Sequence, residues 1–201
     1  MKTIYKGIPT EYNGIKFRSK LEAQWAAFFD LLGWKYEYEP YALNGWIPDF
    51  IIYGKESNSR KTKEILVEVK PFSKLEEFKE TVEKIRKSML NNDKREILLL
   101  GNTIFESKEK NIFDDSSTSC SIGWLVERTW YDNDNFNVNS FDECILNYYN
   151  EKFGFFHVTD SYQDRITGLH DGDHFLRRPD YTEVKKVLWN RAKNMVQWKK
   201  Q

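Results

Sequence analysis

The stretch WIPDFIIYGKESNSRKTKEILVEVKPF, residues 46–72, contains two runs of β-branched and aromatic residues. Such runs are typical of strands, and they predict one strand at about 47–53 and a second at about 64–70, joined by a polar, basic loop. Asp49 opens the first run and Glu68 lies inside the second. Charged side chains in segments that otherwise favour the core need an explanation, because burying an unpaired charge is costly.

The flanking sequence predicts further elements of an α/β fold. Residues 18–32 have helical apolar spacing and residues 34–40 alternate aromatic and charged residues, as in a half-exposed strand. Pro71 precedes a second predicted helix, and residues 96–100 are typical of a buried strand. The second helix has one apolar stripe, formed by Leu75, Phe78, Val82, Ile85 and Met89. The order α-β-β-β-α-β predicts one mixed sheet with helices on its faces and a right-handed parallel crossover through the second helix.

The second half of the chain is predicted to elaborate this core without forming an independent domain. We expect loops at 106–120 and 131–140, strands at 122–126 and 153–158, and a short helix at 141–149. A basic amphipathic helix is expected at the end, with an apolar stripe of Val184, Val187, Leu188, Ala192, Met195 and Val196.

Composition excludes several classes of protein. With 201 residues, 40% hydrophobic and 16% aromatic, the chain can bury a core and is not typical of a disordered protein. No apolar window approaches about 18 residues and no signal peptide is evident, so neither secretion nor a membrane span is expected. Cys120 and Cys144 are too few for a disulfide framework. They predict two free core thiols and a reduced, cytoplasmic compartment.

Charge is distributed unevenly although the formal net charge is zero. Residues 106–175 carry 14 acidic and 5 basic residues, whereas residues 176–201 carry 8 basic and 2 acidic residues. Local basic patches are therefore available to contact phosphates, and the acidic middle segment is a candidate surface for a protein partner.

Three carboxylates interrupt segments that favour the core. Glu22 lies in a helix that is apolar on nearly all sides, and Asp49 and Glu68 lie in the two predicted strands. Lys70 is expected on the same face as Glu68, because side chains alternate along a strand. One lysine does not neutralise three carboxylates, so the pattern predicts a divalent cation. An all-oxygen ligand set favours magnesium or manganese over zinc.

These residues resemble a known nuclease motif. Pro48-Asp49 followed by Glu68-Val69-Lys70 resembles the PD-(D/E)xK motif of the restriction-endonuclease-like nuclease superfamily. Upstream, FRSKLEAQWAAFFDLLGWKYEYEP (17–40) is similar to the helix and strand that precede Pro-Asp-Phe in two groups of proteins. These are the phage junction-resolving endonucleases and the endonuclease subunit of some multi-protein transposases. The Gln-x-x-x-Tyr motif of some members is absent from the second helix.

The resemblance implies a restriction-endonuclease-like nuclease core over residues 1–105, with residues 106–201 packed on it. It also implies that Asp49 and Glu68 hold Mg²⁺ (or Mn²⁺) with the carbonyl oxygen of Val69, and that Glu22 completes the site directly, through water or at a second metal. Lys70 would orient the attacking water or help to deprotonate it, while the metal stabilises charge on phosphorus. The products would have 5′-phosphate and 3′-hydroxyl ends.

Other charged residues give weaker indications. Two groups of basic residues are candidate nucleic-acid contacts: Lys16, Arg18 and Lys20 upstream of Glu22, and Arg60 and Lys61 in the loop between the strands. Solvated surface charge explains the first group equally well and is the simpler interpretation of the second. Glu39 matches a family position and is expected to support the site. The segment 170–174, HDGDH, has the composition of a metal site, but a polar loop is the simpler interpretation.

The resulting prediction is a Mg²⁺-dependent endodeoxyribonuclease. The resemblance favours branched or recombination-intermediate DNA in a phage or mobile element, and the sequence leaves open whether cutting is sequence-specific or structure-specific. Three alternatives stay open: a ribonuclease with the same metal site, a non-catalytic DNA-binding module on a nuclease fold, and a partner-dependent subunit. The presence of all four of Glu22, Asp49, Glu68 and Lys70 disfavours the non-catalytic module. A homodimer would suit double-strand cutting, with one site for each strand.

Overall fold

The computed structural model describes residues 7–57, 61–89, 93, 95–110, 118–126, 141–157, 163–170 and 175–197. This part of the chain is a mixed α/β structure, in which helices pack on a large mixed sheet. Among the described helices, none has the length and apolar composition needed to cross a membrane.

The first half of the chain has the predicted order of helix, three strands, helix and strand. Its elements are β1 (Thr10–Tyr12), β2 (Ile15–Phe17), α1 (Lys20–Leu32), β3 (Tyr36–Tyr38), β4 (Phe50–Lys55), β5 (Thr62–Val69), a 3₁₀ turn (Leu75–Phe78), α2 (Lys79–Ser88) and β6 (Glu96–Leu100). Strands β5 and β6 pair in parallel, as the sequence predicts for the connection through α2.

The hairpin of β1 and β2 is an addition that we did not predict. Its two-residue turn consists of Asn13 and Gly14, which have φ values of 53° and 79°. An Asn-Gly pair is the residue combination that such a turn favours, because both positions need positive φ. The signal for the hairpin was therefore present in the sequence.

The second half of the chain extends the same sheet. Its strands are β7 (Phe105–Lys110), β8 (Thr118–Val126), β9 (Phe141–Tyr149) and β10 (Lys152–His157). Among the described residues, the order across the sheet is β10-β9-β8-β6-β5-β4-β3, and β7 pairs with β8. The predicted strand at 122–126 is confirmed, and the strand at 153–158 is confirmed through His157, since Val158 lies outside the described residues.

Two predictions about the strands of this half are wrong. The segment predicted as a short helix at 141–149 is strand β9, paired on both sides by β8 and β10. Part of the segment predicted as a loop at 106–120 is also strand, because it contains β7 and the start of β8. The predicted loop at 131–140 lies outside the described residues.

The side chains of the sheet pack into two hydrophobic cores, one on each face. The α1-side core includes Phe50, Val67 and Leu98, which pack with α1 and the C-terminal helix. The α2-side core includes their chain neighbours Ile51 and Leu66, which pack with α2. Consecutive residues thus alternate between the cores, as strand geometry requires. Because both faces are covered, a charged residue at the end of these strands is partly enclosed.

The C-terminal helix has three parts, α3 (Tyr181–Val184), a π-helical turn (Lys185–Trp189) and α4 (Asn190–Met195). The predicted apolar stripe is wrong at Val187 and Met195, which are 53% and 42% exposed. Trp189 is buried instead, with its ring centroid 4.6 Å from that of Trp25 in α1. The wider π turn changes the phase of the helix, and this moves Val187 out of the core and Trp189 into it.

Candidate active site

The four predicted catalytic residues come from strand ends and from the start of α1. Asp49 directly precedes β4, and its carbonyl accepts a hydrogen bond from Glu39 N at 3.0 Å. Lys70 directly follows β5, and its N–H donates to Leu100 O at 3.0 Å. These bonds continue the sheet pairing by one residue, so the backbone at Asp49 and Lys70 is fixed by its neighbours.

The side chains of Asp49 and Glu68 lie on the α2 side of the sheet. Each is two residues from a member of the α2-side core, Ile51 or Leu66. Trp46 belongs to the same core, and its Nε1–H donates to Glu68 Oε2 at 2.8 Å. The buried indole therefore fixes the orientation of the Glu68 carboxylate.

Three oxygen atoms surround the ammonium group of Lys70. Its Nζ lies 2.5 Å from Glu68 Oε1 and 3.6 Å from Asp49 Oδ2. The same Nζ donates to the carbonyl oxygen of Val69 at 3.0 Å. These are the oxygens of the three residues that the resemblance assigns as ligands of a metal ion. The structure thus brings them together around one positive charge.

Burial makes the Asp49 carboxylate unfavourable in its charged form. Its side chain is only 2% exposed, and this burial, together with the charge of Glu68, raises its pKa to about 7. Lys70 and the Val69 N–H, which donates to Asp49 Oδ2 at 2.7 Å, oppose that rise without cancelling it. The positive charges around Asp49 therefore do not fully compensate for its burial.

Lys70 stays a strong cation despite its enclosure. Burial lowers the pKa of its ammonium group, but the charges of Glu68 and Asp49 outweigh burial, so the pKa lies above its usual value. The high pKa means that Lys70 is protonated at neutral pH and acts here as a hydrogen-bond donor.

Glu22 lies beside this group, and hydrogen bonds to Ser19 and Tyr38 hold it there. Ser19 precedes α1 as its N-cap, and its Oγ accepts from Glu22 N at 3.1 Å and donates to Glu22 Oε1 at 2.8 Å. The Tyr38 hydroxyl donates to Glu22 Oε2 at 2.6 Å. The charge of Glu22 contributes to raising the pKa of both Asp49 and Lys70. Glu22 is thus an electrostatic neighbour of the site.

Arg18 forms ion pairs with both Asp49 and Glu39. Its Nη2 donates to Asp49 Oδ1 at 2.6 Å, and its Nε lies 2.7 Å from Glu39 Oε1. Its backbone N–H donates to the Tyr38 hydroxyl at 2.9 Å. Glu39, expected to support the site, does so through this ion pair. Arg18 was predicted to contact phosphate, and in this structure its guanidinium binds two carboxylates.

The donor set suits a hard divalent cation. Asp49, Glu68 and the Val69 carbonyl offer oxygen only, which is what magnesium and manganese prefer. No three Asp, Glu, His or Cys side chains are grouped closely enough to hold a metal ion on their own within the residues described here. If a cation binds here, the backbone carbonyl of Val69 supplies a third oxygen beside the two carboxylates.

Three of the remaining predicted contacts lie within the described residues. Lys16 is exposed on β2, Lys20 begins α1, and Lys61 is exposed just before β5. Arg60 and residues 171–174 of the HDGDH segment lie outside the described residues. Both cysteines are buried and free, which confirms the prediction of two core thiols.

Sequence reasoning missed Tyr38 and Trp46 as partners of the site. Tyr38 belongs to the alternating aromatic strand and Trp46 precedes Pro48-Asp49, so each was counted as an apolar residue. The available signal was chemical: Tyr and Trp carry one polar group that must find a partner when buried. Their proximity to the predicted carboxylates made those carboxylates the natural acceptors.

Comparisons with protein-family models, with curated proteins and with solved structures give no match for this chain. Its function must therefore be inferred from its own residues and from their geometry.

Proposed function

We propose that this protein is a divalent-metal-dependent endodeoxyribonuclease with a restriction-endonuclease-like fold. Asp49, Glu68 and the Val69 carbonyl would hold magnesium or manganese, with Glu22 beside them. The observation that carries the proposal is the convergence of these three oxygens on Lys70 Nζ, at 3.6, 2.5 and 3.0 Å. A cation of some kind is thus already favoured at this point of the molecule.

The electrostatics support a cation of higher charge. Asp49 and Glu68 are buried, and the pKa of Asp49 stays raised to about 7 although Lys70 and Arg18 both contact it. A divalent ion would stabilise the charged form of Asp49, which Lys70 and Arg18 together do not achieve. The two carboxylates are also held in place before any ligand arrives, by Trp46 Nε1 and Val69 N. Such preorganisation favours binding.

The chain's own groups can act on a phosphodiester at this site. A bound magnesium or manganese ion supplies Lewis-acid stabilisation of the phosphoryl group and a more acidic water. Lys70 is 31% exposed, so its ammonium can donate to a phosphate oxygen and stabilise charge that develops there. Glu68 accepts the Lys70 bond and holds the ammonium close to the site. Ser19 and Tyr38 hold Glu22 toward the same region.

The choice of DNA and of endonucleolytic cutting comes from the resemblance of residues 14–72 to junction-resolving and transposase endonucleases. It favours branched or recombination-intermediate DNA, with products that have 5′-phosphate and 3′-hydroxyl ends.

The test is cleavage of supercoiled, linear, branched and single-stranded DNA, and of RNA, in magnesium, manganese or EDTA. We expect metal-dependent cutting of DNA by the parent and a loss of several orders of magnitude in Glu68→Gln and in Lys70→Ala. Lys152→Ala is the matched control, because Lys152 is exposed on β10, at the other edge of the sheet. It should cut like the parent.

Other outcomes would redirect or overturn the proposal. Cutting of RNA alone would make the protein a ribonuclease with the same site. DNA binding without cutting in any metal would make it a binding module. Cutting that survives in EDTA, or equally in Glu68→Gln, would contradict a metal-dependent mechanism at this site.

A further inference from the structure

Arg18 is largely exposed to solvent and at the same time contacts a buried carboxylate. Its side chain is 56% exposed, yet its guanidinium contacts Asp49, which is 2% exposed. The same guanidinium contacts Glu39, and Glu22 adds a third nearby negative charge. Arg18 is therefore a surface group that reaches from solvent into the site.

Arg18 contacts the oxygen of Asp49 that Val69 and Lys70 do not contact. Asp49 Oδ2 accepts from Val69 N at 2.7 Å and faces Lys70 Nζ at 3.6 Å. Asp49 Oδ1 accepts from Arg18 Nη2 at 2.6 Å. Both oxygens are thus engaged by groups of the chain itself. A metal ion that binds Asp49 must compete with at least one of these donors.

Arg18 is the donor that can leave at the lowest cost. The Val69 N–H is part of the backbone beside the β5–β6 pairing, and Lys70 is held by Glu68 at 2.5 Å. The Arg18 guanidinium is exposed to solvent, where a phosphate group can reach it. Guanidinium groups often bind phosphate through two parallel hydrogen bonds. Two such bonds would replace the contacts of Arg18 with Asp49 and Glu39.

We infer that Arg18 couples the binding of a DNA phosphate to the binding of the metal ion. Without nucleic acid, Arg18 neutralises Asp49 and competes with the cation. A backbone phosphate takes the guanidinium and so removes its competition for the Asp49 carboxylate. This inference rests on the proposed function, because it assigns the order in which that site is filled.

Coupling of this kind is reciprocal. If phosphate raises the affinity for the metal, the metal raises the affinity for phosphate by the same factor, and typical factors are about 5- to 150-fold. Removing Arg18 should increase metal affinity in the absence of DNA, because a competing positive charge is lost. It should also remove most of the coupling, because DNA then has no competitor to displace.

The experiment is calorimetric titration of Mn²⁺ into the full chain, alone and with saturating phosphorothioate-linked duplex DNA. That linkage keeps the backbone charge and slows hydrolysis, and a gel checks that the DNA stays intact. The variants are Arg18→Ala and Arg18→Gln, with Lys152→Ala as the matched control, which also removes one positive charge. Lys152 is exposed on β10, at the other edge of the sheet.

The parent and Lys152→Ala should bind Mn²⁺ more tightly with DNA than without it, by about 5-fold or more. Both Arg18 variants should bind Mn²⁺ more tightly than the parent when DNA is absent, and DNA should change that affinity little. Unchanged Mn²⁺ affinity in both Arg18 variants, or coupling equal to that of the parent, would overturn the role of Arg18 and leave the nuclease proposal standing. A parent that binds no Mn²⁺ with or without DNA would remove both.

Discussion

Asp49 is a buried carboxylate whose pKa is raised although it has hydrogen-bond partners. It is buried, it accepts hydrogen bonds from Val69 N and from Arg18, and its pKa is nevertheless raised to about 7. A structural carboxylate with two such partners usually has a lowered pKa. The raised value results from burial and from the neighbouring Glu68. In the absence of a further cation, the site therefore costs stability.

This cost predicts how stability varies with pH. The folded protein retains a proton on Asp49 between about pH 4, the ordinary range of an aspartate, and about pH 7. The unfolded chain releases that proton, so raising the pH through this window lowers the free energy of unfolding, by at most about 1.4 kcal/mol per pH unit. Above that window this contribution no longer changes. Asp49→Asn does not titrate and lacks it.

Urea unfolding of the parent and Asp49→Asn in EDTA, at pH 5 and at pH 8, measures this effect. The difference in free energy of unfolding should shift in favour of Asp49→Asn as the pH rises. A constant difference at both pH values, or a shift toward the parent, would show that the pKa of Asp49 is not raised in the folded protein.

At this scale the sequence predicted which charged residues gather, but not every bond between them. Asp49, Glu68 and Lys70 were recognisable because each interrupts an apolar strand. The ion pair of Arg18 with Asp49 spans 31 positions of the chain and depends on rotamers that no local pattern encodes. The same holds for Tyr38 and Trp46.

Among the elements, β9 shows why periodicity failed. The segment 141–149 has apolar residues at helical spacing, including Phe141, Cys144 and Ile145. In the sheet both faces of β9 are covered: Cys144 packs in the α1-side core, and Ile145 packs on the opposite face with Phe156. A strand covered on both sides loses the alternation that identifies strands, so it cannot be distinguished from a helix by period alone.

The C-terminal helix offers a test at the same scale. Trp189 is buried against Trp25 and Phe28, with ring centroids 4.6 and 5.3 Å away, whereas Val187 is 53% exposed. We expect Trp189→Ala to lower the free energy of unfolding by about 3–5 kcal/mol. Val187→Ala should change it by about 0.5 kcal/mol or less, as at other surface positions.

Chemical denaturation of the two variants beside the parent checks this prediction. A regular α-helix with the stripe that the sequence predicts would bury Val187. A large loss in Val187→Ala, or a small one in Trp189→Ala, would therefore contradict the π turn and the phase that it sets.

Over the whole molecule, the candidate site lies at the ends of β4 and β5, beside the two cores that cover the faces of the sheet. Helix α1 brings Glu22 from one side, and the α2-side core brings Trp46 from the other. The strands from β8 to β10 continue the sheet on the other side of β6. The order of the first elements was predictable from apolar patterns and turn residues. Only part of the extension was predictable, namely the strands within β8 and β10. The rest was not, because β7 is polar and β9 has helical spacing.

The central claim is that the buried Asp49 and Glu68 carboxylates exist to bind a divalent cation. Thermal unfolding of the parent and of Glu68→Gln, in millimolar Mn²⁺ and in EDTA, tests it most directly. A ligand that binds only the folded state stabilises it, by about 2.7 kcal/mol at 100 times its Kd. Mn²⁺ should raise the Tm of the parent and of Lys152→Ala equally, and should raise that of Glu68→Gln much less. No rise in the parent, or the same rise in Glu68→Gln, would contradict the claim.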